Sequence, residues 1–175
     1  MSTRLTREDW IRHGTDTLAD TGFVALKVDP LAKRLGVSRG SFYWHFRDLA
    51  DYQQAVLAHW HSRSTEQVIT RIEATTDQRL TRLMREAFDA PWDLERAVRA
   101  WAAQESWVAQ EVAQVDQARL HYVEGLLREE GLPRSAAKAR ALLLYWAVLG
   151  QMMTSSDLRL SRSAVAGLSH TLLRP

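Results

Sequence analysis

The run from Leu31 to Phe46 constrains the fold of this chain more than any other segment. It predicts two short helices joined by a tight turn, because Gly36 ends the first helix and Ser38 can cap the second. On a helical wheel at about 100° per residue, Phe42 and Phe46 form one edge of the second helix. The opposite arc carries Arg39, Gly40, Tyr43 and Trp44, with Ser41 and His45 at its borders. A polar and aromatic arc opposite a buried edge is typical of a helix that lies in a DNA groove.

Local charge favours the same interpretation. The chain as a whole has a net charge of only +2, which excludes a protein that coats nucleic acid over its entire surface. The segment between Lys27 and Arg47 contains five basic residues and a single acid, Asp29. Its net charge of +4 therefore provides a local basic patch, which is what phosphate contacts require.

Other functional classes have weaker support in the sequence. With no cysteine among its 175 residues, the chain has no disulfide, thiolate metal site or cysteine nucleophile. His59 and His61 point about 200° apart on a helix, so they do not form a metal pair. No zinc-protease, phosphate-loop or nucleophile-elbow motif occurs, and we expect no cofactor and no enzymatic activity. The alternatives are a small all-α enzyme, a helical protein-interaction adaptor, and a bundle in which Arg39–Phe46 is a packed core helix.

The remaining segments predict an all-α chain, because no stretch alternates with a period of two. A first helix follows the cap Thr6 and ends at Gly22, and a second carries the stripe Val28, Leu31, Ala32 and Leu35. A fourth helix opens at Arg47-Asp48 and ends near Trp60. We expect a DNA-binding domain over residues 1–60 and a helical ligand-binding and dimerisation domain over 61–175. The further helices are predicted at 64–74, 77–89, 93–104, 108–130, 134–153 and 161–173.

Gly22, Leu31-Ala32 and the run from Gly36 to Phe46 together resemble the N-terminal region of the tetracycline-repressor (TetR) family of bacterial transcription regulators. The resemblance covers residues 5–60. It implies an N-terminal three-helix helix-turn-helix domain, a homodimer on a palindromic double-stranded DNA operator, and a C-terminal helical domain whose small-molecule effector releases the DNA. The function expected is therefore a transcriptional regulator, in the family's usual mode a repressor.

The resemblance also assigns contacts by position. Arg39 is the expected base reader, since a guanidinium can bridge guanine O6 and N7, and Tyr43 and His45 are expected at phosphates. Lys27 stands where the family commonly has a capping Thr or Ser, so either Asp29 caps the helix or Lys27 itself contacts phosphate. Leu49 replaces a phosphate-binding lysine, for which Arg47 could substitute. The predicted DNA-binding residues are Lys27, Ser38, Arg39, Gly40, Ser41, Tyr43, Trp44, His45 and Arg47.

Helix 134–153 is apolar nearly all round and must be covered on every side. A second subunit could cover one face, although a central helix buried in a monomer remains an alternative. The predicted dimer interface contains Leu142, Trp146, Leu149, Met153, Val165, Leu168 and Leu172.

Trp and Met side chains are abundant in the C-terminal part, with seven Trp in the whole chain. They suit a pocket for an apolar or aromatic effector, and simple core packing is the alternative. The predicted ligand-binding residues are Met84, Trp101, Trp107, Tyr122, Tyr145, Trp146 and Met152.

The sequence also bears on location. The longest apolar run, Ala141 to Leu149, is far shorter than the roughly 20 residues that span a bilayer. The N-terminus lacks the apolar core of a signal peptide. We therefore expect a cytoplasmic protein without a membrane partner.

Overall fold

A computed structural model describes residues 5–154 and 159–173 of the chain. All regular structure in these residues is helical, without a strand, which confirms the predicted all-α class. Most helices begin and end within three residues of their predicted bounds. The helices are α1 (Arg7–Thr21), α2 (Val28–Leu35), α3 (Arg39–Tyr43), α4 (Leu49–His61), α5 (Gln67–Glu73), α6 (Arg79–Asp89), α7 (Asp93–Ala102), α8 (Ser106–Glu129), α9 (Arg134–Met153) and α10 (Arg162–Leu173).

Local capping explains why α1 and α2 begin and end where they do. Thr6 Oγ1 accepts a hydrogen bond from the Asp9 amide at 3.1 Å, and the Thr6 amide donates to Asp9 Oδ2 at 2.9 Å. This reciprocal pair is a capping box, which satisfies two amides at the helix start. Gly22 (φ 88°) and Gly36 (φ 66°) end α1 and α2 at positive φ, as the sequence predicted.

The N-terminal helices form a compact unit that also includes Asp93–Val112. Within this unit α1 packs against both α4 and α7, and α2 packs against α3. Trp60 Nε1 donates to the buried carboxylate of Glu95 at 3.0 Å, and Arg99 pairs with the same carboxylate at 2.8 Å. The domain boundary predicted at residue 60 assigned α7 to the C-terminal domain, whereas α7 packs against α1 in the first compact unit.

The second compact unit comprises Thr65–Trp92 and Ala113–Pro175. Gln151 is buried in this unit, and its side chain donates to the Phe88 carbonyl and accepts from the Leu160 amide, both at 2.9 Å. These bonds fix the end of α9 to the end of α6. The core is formed by Leu80, Met84, Phe88, Leu126, Leu127, Ala137, Ala141, Leu144 and Val165.

Candidate nucleic-acid interface

Helix α3 is anchored on one side by aromatic packing. The Phe42 and Phe46 side chains are 0% and 2% exposed, which confirms the buried edge predicted from the helical wheel. The Phe42 ring centroid lies 5.5 Å from that of Trp10 on α1 and 5.4 Å from that of Tyr52 on α4. Because the rings meet edge to face, a favourable geometry, they fix the rotation of α3 about its axis. The opposite side of α3 consequently faces outward.

The third helix is shorter than predicted. The prediction that it extends to Phe46 was wrong, since α3 ends at Tyr43 and the chain continues in a tight turn. In this turn the His45 and Phe46 amides both donate to the Phe42 carbonyl, at 2.9 and 3.1 Å. The Phe42 carbonyl oxygen can accept both bonds because it has two lone pairs, and the turn still directs the Phe46 side chain inward. Ser38 occupies the N-cap with extended backbone, but its side chain makes no capping hydrogen bond.

The outward arc of α3 and the following turn is aromatic and solvent-accessible. Tyr43 is 49% exposed and Trp44 is 76% exposed, although large aromatic side chains are usually mostly covered. Gly40 is also exposed, and a Cβ built on it would meet only Ser38 Oγ, at 3.7 Å. The fold therefore does not require glycine there. Ser41 is half-buried at the border of the arc, as predicted.

Arg39 lies at the centre of a small polar network on this arc. Its Nη2 donates to Tyr43 Oη at 3.2 Å, and its Nη1 lies 3.6 Å from Asp29 Oδ2 on α2. The guanidinium carbon is also 5.8 Å from the Tyr43 ring centroid, within cation–π range. The hydrogen bond with Tyr43, followed by the Asp29 charge, raises the pKa of Arg39 above its ordinary value. The base reader predicted from sequence is thus an exposed cation that contacts Tyr43 and Asp29.

The other predicted DNA-binding residues have distinct environments. His45 is half-buried, and its Nε2 lies 2.9 Å from the Leu5 carbonyl oxygen, to which it can donate. Lys27 is exposed at the N-cap of α2, where its side chain makes no capping bond. Arg47 is exposed and its Nε lies 3.6 Å from Asp51 Oδ2, a long and weak ion pair.

Helix α9 presents an uncovered apolar face. Leu143, Trp146 and Met153 are 56%, 57% and 75% exposed, with Ala147 and Gly150 also exposed between them. We call these five residues the α9 stripe. They follow the i, i+3, i+4, i+7 pattern of a single helix face. Leu143 was not among the predicted interface residues, although its spacing of three from Trp146 is the signal that identifies it.

The other predicted interface residues whose side chains are described are more buried than the α9 stripe. Leu142 and Leu149 are half-buried and flank the α9 stripe. Val165 is 3% exposed in the core of the second unit, and the partly buried Leu168 packs against that core. Both residues are thus covered largely by their own chain. The Leu172 side chain lies outside the described part of the structure.

The seven predicted ligand-binding residues are divided between the two compact units. Trp101 and Trp107 belong to the first unit, where their rings meet edge to face and Trp101 stacks on Phe23. The other five belong to the second unit. There Met84 and Met152 are buried, Tyr122 donates to Glu73 at 2.6 Å, Tyr145 donates to Asp116, and Trp146 lies on the α9 stripe.

Two further properties concern the described residues as a whole. Within 5–154 and 159–173, no group of three or more His, Asp or Glu side chains is placed to hold a metal ion. Over the same ranges, no helix combines the length and apolar character that crossing a membrane demands.

Comparison with known proteins identifies the N-terminal segment. Residues 11–50 match the model of the bacterial regulatory proteins of the tetR family. A TetR-family transcriptional regulator from Rhodococcus sp. has the same fold, with 22% identity, a TM-score of 0.68, and coverage of 96% of this chain and 99% of that protein. Residues 11–50 are therefore the segment of this chain that resembles the tetR-family regulatory proteins. Over nearly its whole length the chain shares the fold of a TetR-family transcriptional regulator.

Other solved structures share the fold over nearly the whole chain. The fatty acid degradation regulator FadR from Bacillus halodurans is 17% identical, with a TM-score of 0.62 and coverage of 98% of this chain and 97% of that protein. BioQ in complex with its double-stranded DNA operator is 23% identical, with a TM-score of 0.53 and coverage of 97% and 98%. A comparison with curated protein sequences finds no match.

Proposed function

We propose that this chain acts in the cytoplasm as a homodimeric tetR-family repressor of a palindromic operator, from which an apolar or aromatic effector releases it. The outward arc of α3 is the observation that carries the DNA-binding part of the proposal. It combines the exposed guanidinium of Arg39, which donates to Tyr43, with the exposed rings of Tyr43 and Trp44 on a helix anchored by the buried Phe42. A helix so anchored presents its donors to a major groove in one orientation, which sequence readout requires.

Phosphate contacts on both sides of the arc would fix the register on the duplex. Lys27 and Arg47 are exposed on either side of α3 in the sequence and supply the charges. Ser38, Ser41 and Tyr43 add hydroxyl donors. The Nε2 of His45 bonds to Leu5, so we assign this residue to holding the start of α1 beside α3 as well as to the interface.

The α9 stripe supports dimerisation. Exposed contiguous apolar patches are uncommon on monomeric proteins and mark interaction sites. A second copy of the chain is the proposed partner, because a two-fold axis through α9 would bring the stripe against itself. Trp146 and Met153 would be central to this interface, flanked by Leu142 and Leu149. The same two-fold axis would give the operator its palindromic symmetry.

The second unit supports effector binding through its composition. Its interior contains Met84 and Met152, which fill irregular apolar space and adapt to different contents. Trp92 is 8% exposed, and its Nε1 has no hydrogen-bond partner within residues 5–154 and 159–173. An unsatisfied buried donor costs about 1–3 kcal/mol, which a ligand carrying an acceptor would recover. An effector that binds better to the DNA-free form lowers DNA affinity by linkage.

An electrophoretic mobility shift experiment tests the DNA-binding part. The probe is a duplex selected from random DNA by the full chain, with a scrambled duplex for comparison. Arg39→Ala is expected to weaken operator binding by roughly 1–3 kcal/mol and to relax the base preference at one position. Arg34→Ala is the matched control, since Arg34 pairs with Asp20 and lies outside the α3 arc. It is expected to reduce binding to both duplexes equally.

Two outcomes would contradict this proposal. If Arg39→Ala retains the base preference of the parent at every operator position, Arg39 is not the base reader. If the parent chain shifts no selected duplex, the chain acts through protein contacts, and the adaptor alternative replaces the proposal.

A further inference from the structure

Asp29 is the single acid in the basic segment between Lys27 and Arg47. It lies in the first turn of α2 and is exposed, with its carboxylate directed at Arg39 of α3. A carboxylate at a DNA-facing surface opposes phosphate binding, because like charges repel. Its presence beside the predicted base reader therefore calls for a physical explanation.

Asp29 and Tyr43 contact opposite arms of one guanidinium, Asp29 as a long ion pair and Tyr43 as a hydrogen-bond acceptor. Asp29 Oδ2 lies 3.6 Å from Nη1, and Tyr43 Oη accepts from Nη2 at 3.2 Å. Arginine has five N–H donors, two on each terminal nitrogen. Tyr43 occupies one N–H of Nη2, whereas Asp29 contacts Nη1 as an ion pair beyond hydrogen-bond distance, so both arms of Arg39 retain N–H donors for guanine. The guanidinium carbon lies 5.8 Å from the Tyr43 ring centroid.

We propose that Asp29 is a specificity-determining positioning residue, which keeps Arg39 in the base-reading position and away from the DNA backbone. The inference rests on the proposed base contact of Arg39. Phosphates are present at every step of a duplex, so a free arginine gains affinity for any sequence by pairing with them. A carboxylate that already holds the guanidinium reduces this sequence-independent gain. Base contacts, which carry the sequence information, then contribute a larger share of binding.

The competing explanation is that Asp29 contacts a base itself, since an Asp carboxylate can accept from cytosine N4. The two explanations differ in their dependence on Arg39. A positioning residue acts only through Arg39, whereas a direct contact persists without it. A double-mutant cycle on the two residues separates them.

The experiment measures binding of the full chain, at one fixed salt concentration, to the selected operator duplex and to a scrambled duplex of equal length. Asp29→Asn removes the charge with little change in shape. It is expected to strengthen binding to scrambled DNA and to lower the operator-to-scrambled ratio about two- to fivefold, the range that an exposed ion pair supports. In an Arg39→Ala background, the same substitution is expected to leave the ratio unchanged.

Asp20→Asn is the matched control. Asp20 pairs with Arg34 at 3.3 Å, is exposed like Asp29, and lies near the end of α1. Asp20→Asn removes the same charge as Asp29→Asn, so it is expected to strengthen binding to both duplexes alike and to preserve the operator-to-scrambled binding ratio. Thermal unfolding of each variant verifies the fold.

The outcomes separate the inference from the proposed function. If Arg39→Ala has the same operator-to-scrambled ratio as the parent, the base contact of Arg39 and the positioning role of Asp29 both fail. The base contact stands if Arg39→Ala lowers the operator-to-scrambled ratio. The positioning role is nevertheless overturned if Asp29→Asn lowers that ratio by the same factor in the Arg39→Ala background as in the parent. The positioning role is also overturned if Asp29→Asn and Asp20→Asn change the operator-to-scrambled ratio equally.

Discussion

At the scale of single residues, Gly14 sets how closely α1 approaches α4. A Cβ on Gly14 would lie 2.1 Å from Tyr52 Oη and 2.8 Å from Val56 Cγ2. Tyr52 cannot move away at little cost, because it is fully buried and its hydroxyl donates to the Trp10 carbonyl at 2.9 Å. The glycine is therefore required by packing rather than by backbone conformation.

Gly14→Ala is accordingly expected to lower the free energy of unfolding by about 1–3 kcal/mol, the usual cost of overpacking. Gly40→Ala is the matched substitution at an open helical position and is expected to raise stability by up to about 1 kcal/mol. Urea unfolding of both variants measures the difference. Equal effects of the two substitutions would mean that α1 and α4 are not closely packed at Gly14.

At the scale of elements, the capping box makes the stability of α1 depend on pH. The hydrogen bonds from the Thr6 amide and hydroxyl, more than the nearby Arg12, lower the pKa of Asp9 below its ordinary value of 3.8. A lowered pKa in the folded chain means that ionised Asp9 stabilises the fold above pH 3.8. This contribution is lost as the pH falls through the folded-state pKa.

Asp9→Asn is therefore expected to be less stable than the parent at neutral pH, and the difference is expected to vanish well below pH 3.8. Asp16→Asn, in the middle of α1, provides the control for loss of a carboxylate outside the cap. Urea unfolding across this pH range is the measurement. A stability difference for Asp9→Asn that is independent of pH would contradict the assigned role of the capping box.

The α9 stripe leads to a prediction about assembly. Trp146→Glu places a charge at the centre of the proposed interface and is expected to convert the dimer to a monomer, because an unpaired charge is costly to bury. Val24→Glu is the control, since Val24 is 62% exposed in the first unit and outside the stripe. Sedimentation at micromolar concentration distinguishes the two species. A parent chain that is already monomeric, or a Trp146→Glu variant that remains dimeric, would remove the stripe from the interface.

Element boundaries follow from the sequence where they depend on neighbouring residues. Thr6, Gly22 and Gly36 define helix ends through local hydrogen bonds and backbone conformation, so the ends of α1 and α2 were predictable. The early end of α3 was not, because the turn after Tyr43 depends on Phe46 reaching a pocket formed by α1 and α4. The position of α7 depends on the contact of Trp60 with Glu95, which lie 35 residues apart in the chain.

At the scale of the whole molecule, the outward arc of α3 was more predictable than the arrangement of the residues assigned to an effector. One short helix contains Arg39 and Tyr43, and its 3.6-residue period alone determines which side chains share a face. The aromatic and Met residues of the effector prediction span residues 84–152 and belong to two compact units. Their relative positions depend on tertiary packing, which a count of Trp and Met does not determine. The partner of Arg39, Asp29, is ten positions away and became apparent only from the α2–α3 packing.

Two copies of α3 are proposed to read DNA together. Selection from a pool of random duplexes by the full chain, followed by sequencing of the bound fraction, tests this symmetric readout. We predict enrichment of a palindrome whose half-sites are centred roughly 34–36 Å apart, about one turn of DNA. Enrichment is expected to disappear at the guanine position read by Arg39 when the selection is repeated with Arg39→Ala. A bound fraction with the composition of the input pool, or an enriched site without two-fold symmetry, would contradict the account.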